Sequence, residues 1–318
     1  MHRRYAFSTE SWPWTVMADP DSERVVVALE HATEIWDPAS GTRLRRVEGP
    51  FDPKLVQDRV AVIAGRKDGA LHFVPLDPDA PIVSGQPTGR LGSNVLPLGD
   101  GFVGGDWDGR VAVFDGRGAI VRRFEPRPGA PARLVLLDRD RVLVHGSNVP
   151  PRVVRLEDGA IERTLATKEG ELTDTVHLVG REHALVYGAA HRAGLYSLET
   201  GKKIWRRVKT KGEANAGAVL WGHYVMGNRN GLYLVDLATG ALVAQIGTLP
   251  IDLLVPLADG RLLALTDDSR GIAVFGESGL LDSVPSAHGA AMVHACAHPT
   301  QPRAITWAFD HTVAIWDL

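Results

Sequence analysis

The sequence predicts an all-β fold built from repeated units, and three observations support that prediction. Short apolar segments that end near an acidic residue recur about every 40 residues along the chain of 318 residues. Glycine and proline, at 34 and 20 residues, are frequent enough for a chain that turns often. The apolar runs are short and rich in β-branched residues, and none shows the periodicity of an amphipathic helix.

The repeated segment is a strand followed by a turn, and it occurs eight times. Its copies span residues 34–37, 73–77, 111–115, 153–157, 194–199, 232–236, 272–276 and 313–317. Asp-Gly or Asn-Gly pairs, which tolerate the positive φ of tight hairpins, precede three of these strands at Gly69, Gly109 and Gly231. Four-stranded units of this length placed around a centre form a β-propeller. We expect one domain, residues 1–318, with eight blades; seven is the alternative because the second unit is the least regular.

The third unit shows the strand order expected within each blade. Its four predicted strands span residues 93–98, 102–105, 110–115 and 119–125. Short turns containing glycine separate them, and the turn before the third strand reads Asp106-Trp107-Asp108-Gly109. The first strand of each unit is expected to line the central channel, and the fourth to form the outer rim.

The eighth unit ends after its third strand, so it has no outer strand of its own. Residues 3–8 carry a pair of arginines that also marks outer strands, at 45–46, 122–123 and 206–207. We therefore expect residues 3–8 to complete the last blade and close the ring, which removes the exposed edges of an open array. Charged outer strands discourage pairing between molecules; a functional basic rim is the alternative explanation for these arginines.

Composition excludes several classes of protein. The one cysteine, Cys296, rules out an internal disulfide framework, and the net charge of −3 gives no reason to expect nucleic acid or an anionic membrane as a partner. No apolar run is long enough for a transmembrane helix, and no export signal follows the first residues, so we expect a cytoplasmic protein. Arginine outnumbers lysine 28 to 7, which favours a bacterial source with a GC-rich genome.

The eighth unit contains His288, Thr306, Asp310 and Trp316 in this order. Together with Val-Ala-Ile-Trp-Asp-Leu at 313–318, they make this unit resemble a WD repeat. The resemblance implies that the four side chains form one set with a structural role. A buried indole N–H and a buried carboxylate each need partners, and such a set supplies them.

The other units follow this pattern less closely. The first unit keeps Trp36 but has Val26 and Glu30 where a WD repeat has a Ser or Thr and an Asp. Segments 194–205 and 232–240 resemble the repeats of quinoprotein-type propellers instead. Both families are propellers, so the expected fold is the same.

The sequence contains no recognisable catalytic, cofactor or metal motif. Nucleophile-elbow, zinc-protease and P-loop patterns are missing, and only Asp174 and Asp252 place carboxylates on predicted first strands, so we expect no catalytic residue and no cofactor. His294, Cys296 and His298 alternate on one strand and are residue types that bind zinc. Neighbours at i and i+2 on a strand lie about 6–7 Å apart, too far for one tetrahedral ion, so we expect no metal and no enzyme activity.

The turns between second and third strands and the loops from each outer strand to the next first strand share one face of a propeller, here called the loop face. Tryptophan and arginine dominate binding hot spots. The predicted partner-binding residues on this face are Trp107, Trp12, Trp14, Arg192, Arg229, His191, Arg270 and Lys67. Trp107 is the strongest candidate because it lies between two aspartates in a tight turn; packing on a neighbouring blade is the alternative. Trp12 and Trp14 could instead fill the seam between the first and last blades.

The resemblance to WD-repeat proteins implies a non-catalytic platform that binds protein or peptide partners through the loop face, as a subunit of a larger complex. A rigid closed ring suits this role because a preorganised surface loses little freedom on binding. The alternative is an enzyme or sensor that uses the central channel to bind a small molecule or a metal.

Overall fold

A computed structural model describes residues 1–65, 68–87, 91–126, 131–146, 149–167, 175–188, 192–206, 214–266 and 269–318. Within these ranges the chain forms 32 β-strands and no helix, in agreement with the all-β prediction. The strands pair into eight antiparallel sheets of four strands each, and these sheets are the blades of a propeller. Eight blades rather than seven are therefore present.

Seven blades are formed by four strands consecutive in the chain, ordered from the channel to the rim. Blade one comprises β2 (Thr15–Ala18), β3 (Val25–Ala28), β4 (Ala32–Asp37) and β5 (Thr42–Glu48). Blade two comprises β6 (Phe51–Gln57), β7 (Val60–Gly65), β8 (Leu71–Pro75) and β9 (Val83–Ser84). Blade three comprises β10 (Leu91–Leu98), β11 (Gly101–Asp106), β12 (Val111–Phe114) and β13 (Ile120–Phe124). Blades four and five comprise β14 (Arg133–Leu136), β15 (Arg141–His145), β16 (Arg152–Arg155), β17 (Ile161–Thr164); and β18 (Thr175–Val179), β19 (His183–Gly188), β20 (Arg192–Ser197), β21 (Lys203–Arg206). Blades six and seven comprise β22 (Ala214–Leu220), β23 (His223–Asn228), β24 (Gly231–Asp236), β25 (Leu242–Gly247); and β26 (Ile251–Pro256), β27 (Leu262–Thr266), β28 (Gly271–Gly276), β29 (Gly279–Val284).

The eighth blade joins the two ends of the described chain. Its strands are β30 (Met292–Ala297), β31 (Arg303–Ala308), β32 (Thr312–Asp317) and, as the outer strand, β1 (His2–Ser8). Strand β1 runs antiparallel to β32, so the predicted closure of the ring by residues 3–8 is confirmed.

Ion pairs support this closure at the seam between blades eight and one. Arg303 donates to Asp317 in its own blade and to Glu23 in the first blade, at 2.8 Å in both cases. Arg4 of β1 donates to the same two carboxylates at 3.2 and 3.1 Å. Glu23 of the first blade thus pairs with two arginines of the eighth blade, and these ion pairs across the seam favour the closed arrangement.

The core lies between the blades and not within any one of them. In the described part of the chain, buried apolar residues form eight clusters, each shared by two neighbouring blades. Second and third strands are consequently apolar on both faces, as in the fully buried β3 and the nearly fully buried β28. Outer strands such as β29 are mostly exposed. Each blade thus depends on both neighbours to bury its apolar surface.

Tryptophans also link blades through the main chain. The indole N–H of Trp205 on β21 donates to the carbonyl of Leu237 in the sixth blade at 2.7 Å. Its ring lies on Gly240, whose φ of +69° suits glycine and where a Cβ would come within 2.6 Å of the indole. Trp205 and Gly240 fall in the two segments that resemble quinoprotein-type repeats.

Candidate functional site

The eighth blade contains a continuous chain of side-chain hydrogen bonds. The indole N–H of Trp316 donates to Oγ1 of Thr306 at 2.8 Å, and the same oxygen lies 2.7 Å from Nε2 of His288. Nδ1 of His288 lies 2.6 Å from Oγ1 of Thr312, which in turn donates to Asp310. The structure thus brings the four predicted residues together, but Asp310 reaches His288 through Thr312, a fifth member absent from the prediction.

The environment of His288 indicates a structural role for this chain. Its side chain is 1% exposed, so no substrate can reach the imidazole. Burial lowers the pKa of His288, which favours the neutral ring, and the nearby Asp310 only partly opposes this effect. Asp310 also accepts from the backbone N–H groups of Gly289 and Ala290, at 2.9 and 3.2 Å. The chain therefore fixes the loop before β30 to the turn before β32.

The first blade also provides an acceptor for the N–H of its buried tryptophan, but with different residues. The indole N–H of Trp36 donates to Oε2 of Glu34, a fully buried carboxylate two positions earlier on the same face of β4. Oε1 of Glu34 accepts from Arg43 and Arg46 of the outer strand, each at 2.8 Å. Sequence comparison with the WD pattern missed Glu34 because it lies on the third strand and not on the second strand or in the turn.

These contacts also explain the outer-strand arginines of the first blade. Arg43 and Arg46 pair with Glu10 as well as Glu34, and Arg46 also pairs with Glu48. Arg45 donates to backbone carbonyls of the second blade, with the shortest distance, 2.8 Å, to Ala80. In this blade the arginines serve internal and inter-blade contacts, which does not favour a functional basic rim here.

Trp107 lies where the sequence predicts, in the turn between β11 and β12 on the loop face. Its side chain is 55% exposed. The turn is held by Asp106, whose Oδ1 accepts from the backbone N–H groups of Asp108 and Arg110 at 2.9 and 2.7 Å. Burial raises the pKa of Asp106, whereas these hydrogen bonds lower it, and burial is the larger effect. Trp107 is thus displayed by a well-defined turn.

Trp12 and Trp14 lie between β1 and β2, at the seam between blades eight and one. Their rings stack at 4.4 Å between centroids, and Trp12 also contacts Phe309 at 5.5 Å. Phe309 comes from the turn between β31 and β32, so this aromatic cluster spans the seam. This matches the alternative interpretation of Trp12 and Trp14, in which they fill the seam between the first and last blades. Trp14 and Phe309 nevertheless remain 45% and 55% exposed. The cluster therefore bridges the seam and presents an apolar surface on the loop face.

The structure places the other predicted contact residues less completely. Arg229 and Arg270 are exposed in turns between second and third strands, on the loop face as expected. Arg192 begins β20, but its side chain is not described. His191 and Lys67 lie outside the described residues.

Strand β30 does not assemble the histidine and cysteine groups into a metal site. His294 contacts the carbonyl of Ala295 through Nδ1, and the thiol of Cys296 donates to the carbonyl of Val16. His298 accepts from backbone N–H groups in the following turn through Nδ1. Among the described residues, no group of three or more His, Cys, Asp or Glu side chains is arranged to hold a metal ion.

Of the two carboxylates that the sequence places on first strands, Asp252 and Asp174, the structure describes the first. Asp252 of β26 accepts from the backbone N–H of Ser269 at 2.8 Å and therefore holds a turn of its own blade. Asp174 lies outside the described residues.

An apolar surface that sequence reasoning did not identify lies on the outer rim of blades six and seven. Leu242 and Val243 of β25, and Leu280 and Leu281 of β29, are each 46–55% exposed. Outer strands were expected to be charged, and the adjacent apolar pairs Leu-Val in β25 and Leu-Leu in β29 are the sequence signal that could have revealed these residues. The loop face is therefore not the sole exposed apolar surface of the described chain.

Comparison with known proteins identifies the fold and no family. No family model matches the sequence, and a search of curated proteins finds no match. The structure is similar to that of a computationally designed protein, Ika8, with a TM-score of 0.79, 16% identity and full coverage of both chains. It is also similar to BamB from Moraxella catarrhalis, with a TM-score of 0.71, 14% identity and coverage of 100% of this chain and 99% of the other. No helix in the described residues is long and apolar enough to cross a membrane.

Proposed function

We propose that this propeller is a non-catalytic interaction platform that binds a protein or peptide partner on its loop face, as a subunit of a larger complex. One observation carries the proposal: three large aromatic side chains on that face, Trp14, Trp107 and Phe309, are each about half exposed. Aromatic residues held on a rigid surface are the usual anchors of protein interfaces, because they bury a large area while losing little freedom.

The construction of the face supports the same function. Trp107 is carried by a turn with two backbone hydrogen bonds to Asp106, and Trp12 supports Trp14 by stacking. Such surfaces lose little conformational entropy when a partner binds. The imidazole of His288 is almost fully buried and lies within hydrogen-bond distance of two threonine hydroxyls, which suits a structural role in the blade.

The test is co-purification from the source cells with tagged variants of the full chain. We would compare wild type, Trp107→Ala, a Trp12→Ala/Trp14→Ala double variant and Leu281→Ala. Leu281 is a matched control, because its 55% exposure equals that of Trp107 but it lies on the rim. Melting temperatures of all variants would be measured first, since a folded variant is required.

We expect a stoichiometric partner with wild type and with Leu281→Ala. Trp107→Ala should bind it at least about tenfold more weakly with an unchanged melting temperature, as for an exposed hot-spot residue. The double variant should also bind it more weakly, but with a lower melting temperature, because Trp12 contacts Phe309 across the seam. Absence of any stoichiometric partner would contradict the proposal. Loss of the partner only in Leu281→Ala would place binding on the rim instead of the loop face.

A further inference from the structure

The outer strands of the propeller differ in how well they are protected against contact with another molecule. Strands β1, β5, β13, β17 and β21 each carry at least one arginine or lysine. Strand β9 carries no charge but is two residues long. Charged and very short edge strands are devices by which proteins prevent association through sheet edges. Six of the eight outer strands therefore have one of these two devices.

The other two outer strands, β25 and β29, have neither device and lie on neighbouring blades. Strand β25 contains no charged residue, and β29 contains Asp282, which pairs with the N-terminal amine of Met1. The two strands carry four apolar side chains that are each about half exposed. These four residues, here called the apolar rim, are Leu242, Val243, Leu280 and Leu281.

The apolar rim forms one surface of useful size. Strand β29 begins beside the end of β25, since a Cβ at Gly279 would lie 3.2 Å from the carbonyl oxygen of Ile246. Four half-exposed side chains of this size present about 400 Å² of apolar surface, and patches of that size often have a function. Small specific interfaces bury about 600 Å² on each partner, of which about two thirds is apolar. The apolar rim therefore has the area that such an interface needs.

We propose that the apolar rim binds the apolar rim of a second copy of this chain, with a two-fold axis between the copies. The distribution of charge identifies this partner. Two copies that met at their arginine-bearing strands would place like charges opposite each other, whereas at the apolar rim apolar side chains meet. An acidic partner would instead be attracted to the arginine-bearing strands. A two-fold axis presents the same patch from both sides, and an apolar patch is complementary to itself.

The contact uses side chains and not an added strand. Val243 and Leu281 each occupy a β-bulge, where the outer strand has one residue more than the third strand of its blade. A bulge interrupts the hydrogen-bonding pattern of the edge and hinders the addition of another strand. The inference does not depend on the loop-face function, because the apolar rim and the loop face are different surfaces.

The experiment is sedimentation velocity of the full chain, at concentrations from about 1 to 200 µM, which gives the dissociation constant. We expect an equilibrium between monomer and dimer with a dissociation constant on the order of 10 µM, as for a small interface. A two-fold contact closes on itself, so no larger species should form. Raising NaCl from about 0.05 to 0.5 M should not weaken the dimer, because salt screens ion pairs and not apolar contacts.

Three variants test the location of the contact. Leu281→Glu should weaken the dimer at least about a hundredfold, because the two-fold axis brings two carboxylates into an apolar contact. Leu242→Glu, on the other strand of the apolar rim, should have the same effect. Val121→Glu is the matched control, since Val121 is also 55% exposed and occupies the corresponding bulge of β13. It should leave the dissociation constant unchanged, and all three variants should keep the melting temperature of wild type.

Several results would overturn the proposal. Wild type that remains monomeric at about 200 µM does not use the apolar rim in this way, and this result needs no variant. A dimer that is unchanged in both Leu281→Glu and Leu242→Glu, or equally weakened in Val121→Glu, would place the contact elsewhere. A dimer that weakens as salt rises would refute its apolar character. A monomeric wild type would leave the co-purification experiment on the loop face unaffected, and the converse also holds.

Discussion

The two buried tryptophans of the eighth blade allow a direct measurement of what its hydrogen-bonded chain contributes. Trp316 and Trp307 are each 3% exposed, and both lie on strands of the same sheet. The N–H of Trp316 donates to Thr306, whereas the N–H of Trp307 has no partner among the described residues. Replacing each by phenylalanine removes the same atoms from two similar environments, so the packing losses should nearly cancel.

The difference between the two variants follows from the hydrogen bonds alone. Trp316→Phe loses a bond worth about 1 kcal/mol, although Thr306 keeps His288 as a partner. Trp307→Phe removes an unpartnered donor whose burial costs about 1–3 kcal/mol. We therefore expect Trp307→Phe to be more stable than Trp316→Phe by about 2–4 kcal/mol. At about 2 °C per kcal/mol for a chain of this size, the melting temperatures should differ by about 4–8 °C.

The assay is urea unfolding of both variants and wild type, followed by circular dichroism and by intrinsic fluorescence. Comparable slopes against urea concentration would show that the same surface is exposed in each case. Equal stabilities of the two variants, or a less stable Trp307→Phe, would refute the reasoning. Either result would mean that the chain in blade eight adds nothing beyond the packing of its members.

Three further predictions concern stability. Glu34→Gln should lower the free energy of unfolding by about 2–3 kcal/mol, because it leaves the indole of Trp36 and two arginines without their buried carboxylate. Glu10→Gln is the control: its carboxylate is mostly exposed, so this variant should leave the melting temperature unchanged. Gly240→Ala should lower the stability of the protein more than Gly222→Ala, because both glycines have positive φ but only at Gly240 would the new Cβ meet an indole ring. The difference between the denaturant midpoints of the two variants measures this steric clash, since the cost of the positive φ is common to both. Burial lowers the pKa of His288, so its neutral form stabilises the fold above about pH 6.5 and this contribution is lost as the pH falls. The melting-temperature advantage of wild type over His288→Gln should therefore shrink from about pH 7.5 to about pH 5.5, and a constant advantage would contradict it.

The fold was predictable because its information is repeated along the chain. A spacing of about 40 residues between similar strands predicts a propeller with eight blades without any knowledge of side-chain contacts, and the irregular second unit is what left seven as the alternative. The missing outer strand of the last unit and the arginines of residues 3–8 were enough to predict the closure that β1 makes with β32. Within the third unit, the predicted second strand 102–105 lies inside the observed Gly101–Asp106.

Side-chain partnerships were less predictable because they depend on which face of a strand each residue occupies. In the first blade Glu34 accepts the hydrogen bond of the buried tryptophan, and it does so from a position that the WD pattern does not include. Thr312 enters the chain between His288 and Asp310 because its hydroxyl lies beside both. A search for acceptors two residues from a buried tryptophan would have found Glu34, but no sequence signal marks the unpartnered N–H of Trp307.

An apolar cavity at the closing seam, lined by Trp14, Met17 and Trp307 among others, was beyond the reach of sequence reasoning for a different reason. Its wall combines strands from blades eight, one and two, whose residues are separated by most of the chain length. Only the closed ring brings β30 beside β2.

The closing seam therefore limits which experiments can locate function. The aromatic cluster of Trp12, Trp14 and Phe309, the cavity at β30 and the hydrogen-bonded chain of blade eight all lie at or beside the junction that β1 completes. Removing β1 would expose β32 and take away Phe7, which stacks on Trp36 at 4.6 Å. Such a truncation would disturb all three of these features at once and would not distinguish among them. Single substitutions at exposed or cavity-lining positions, each with a folded control of equal exposure, separate a loop-face partner from a channel ligand.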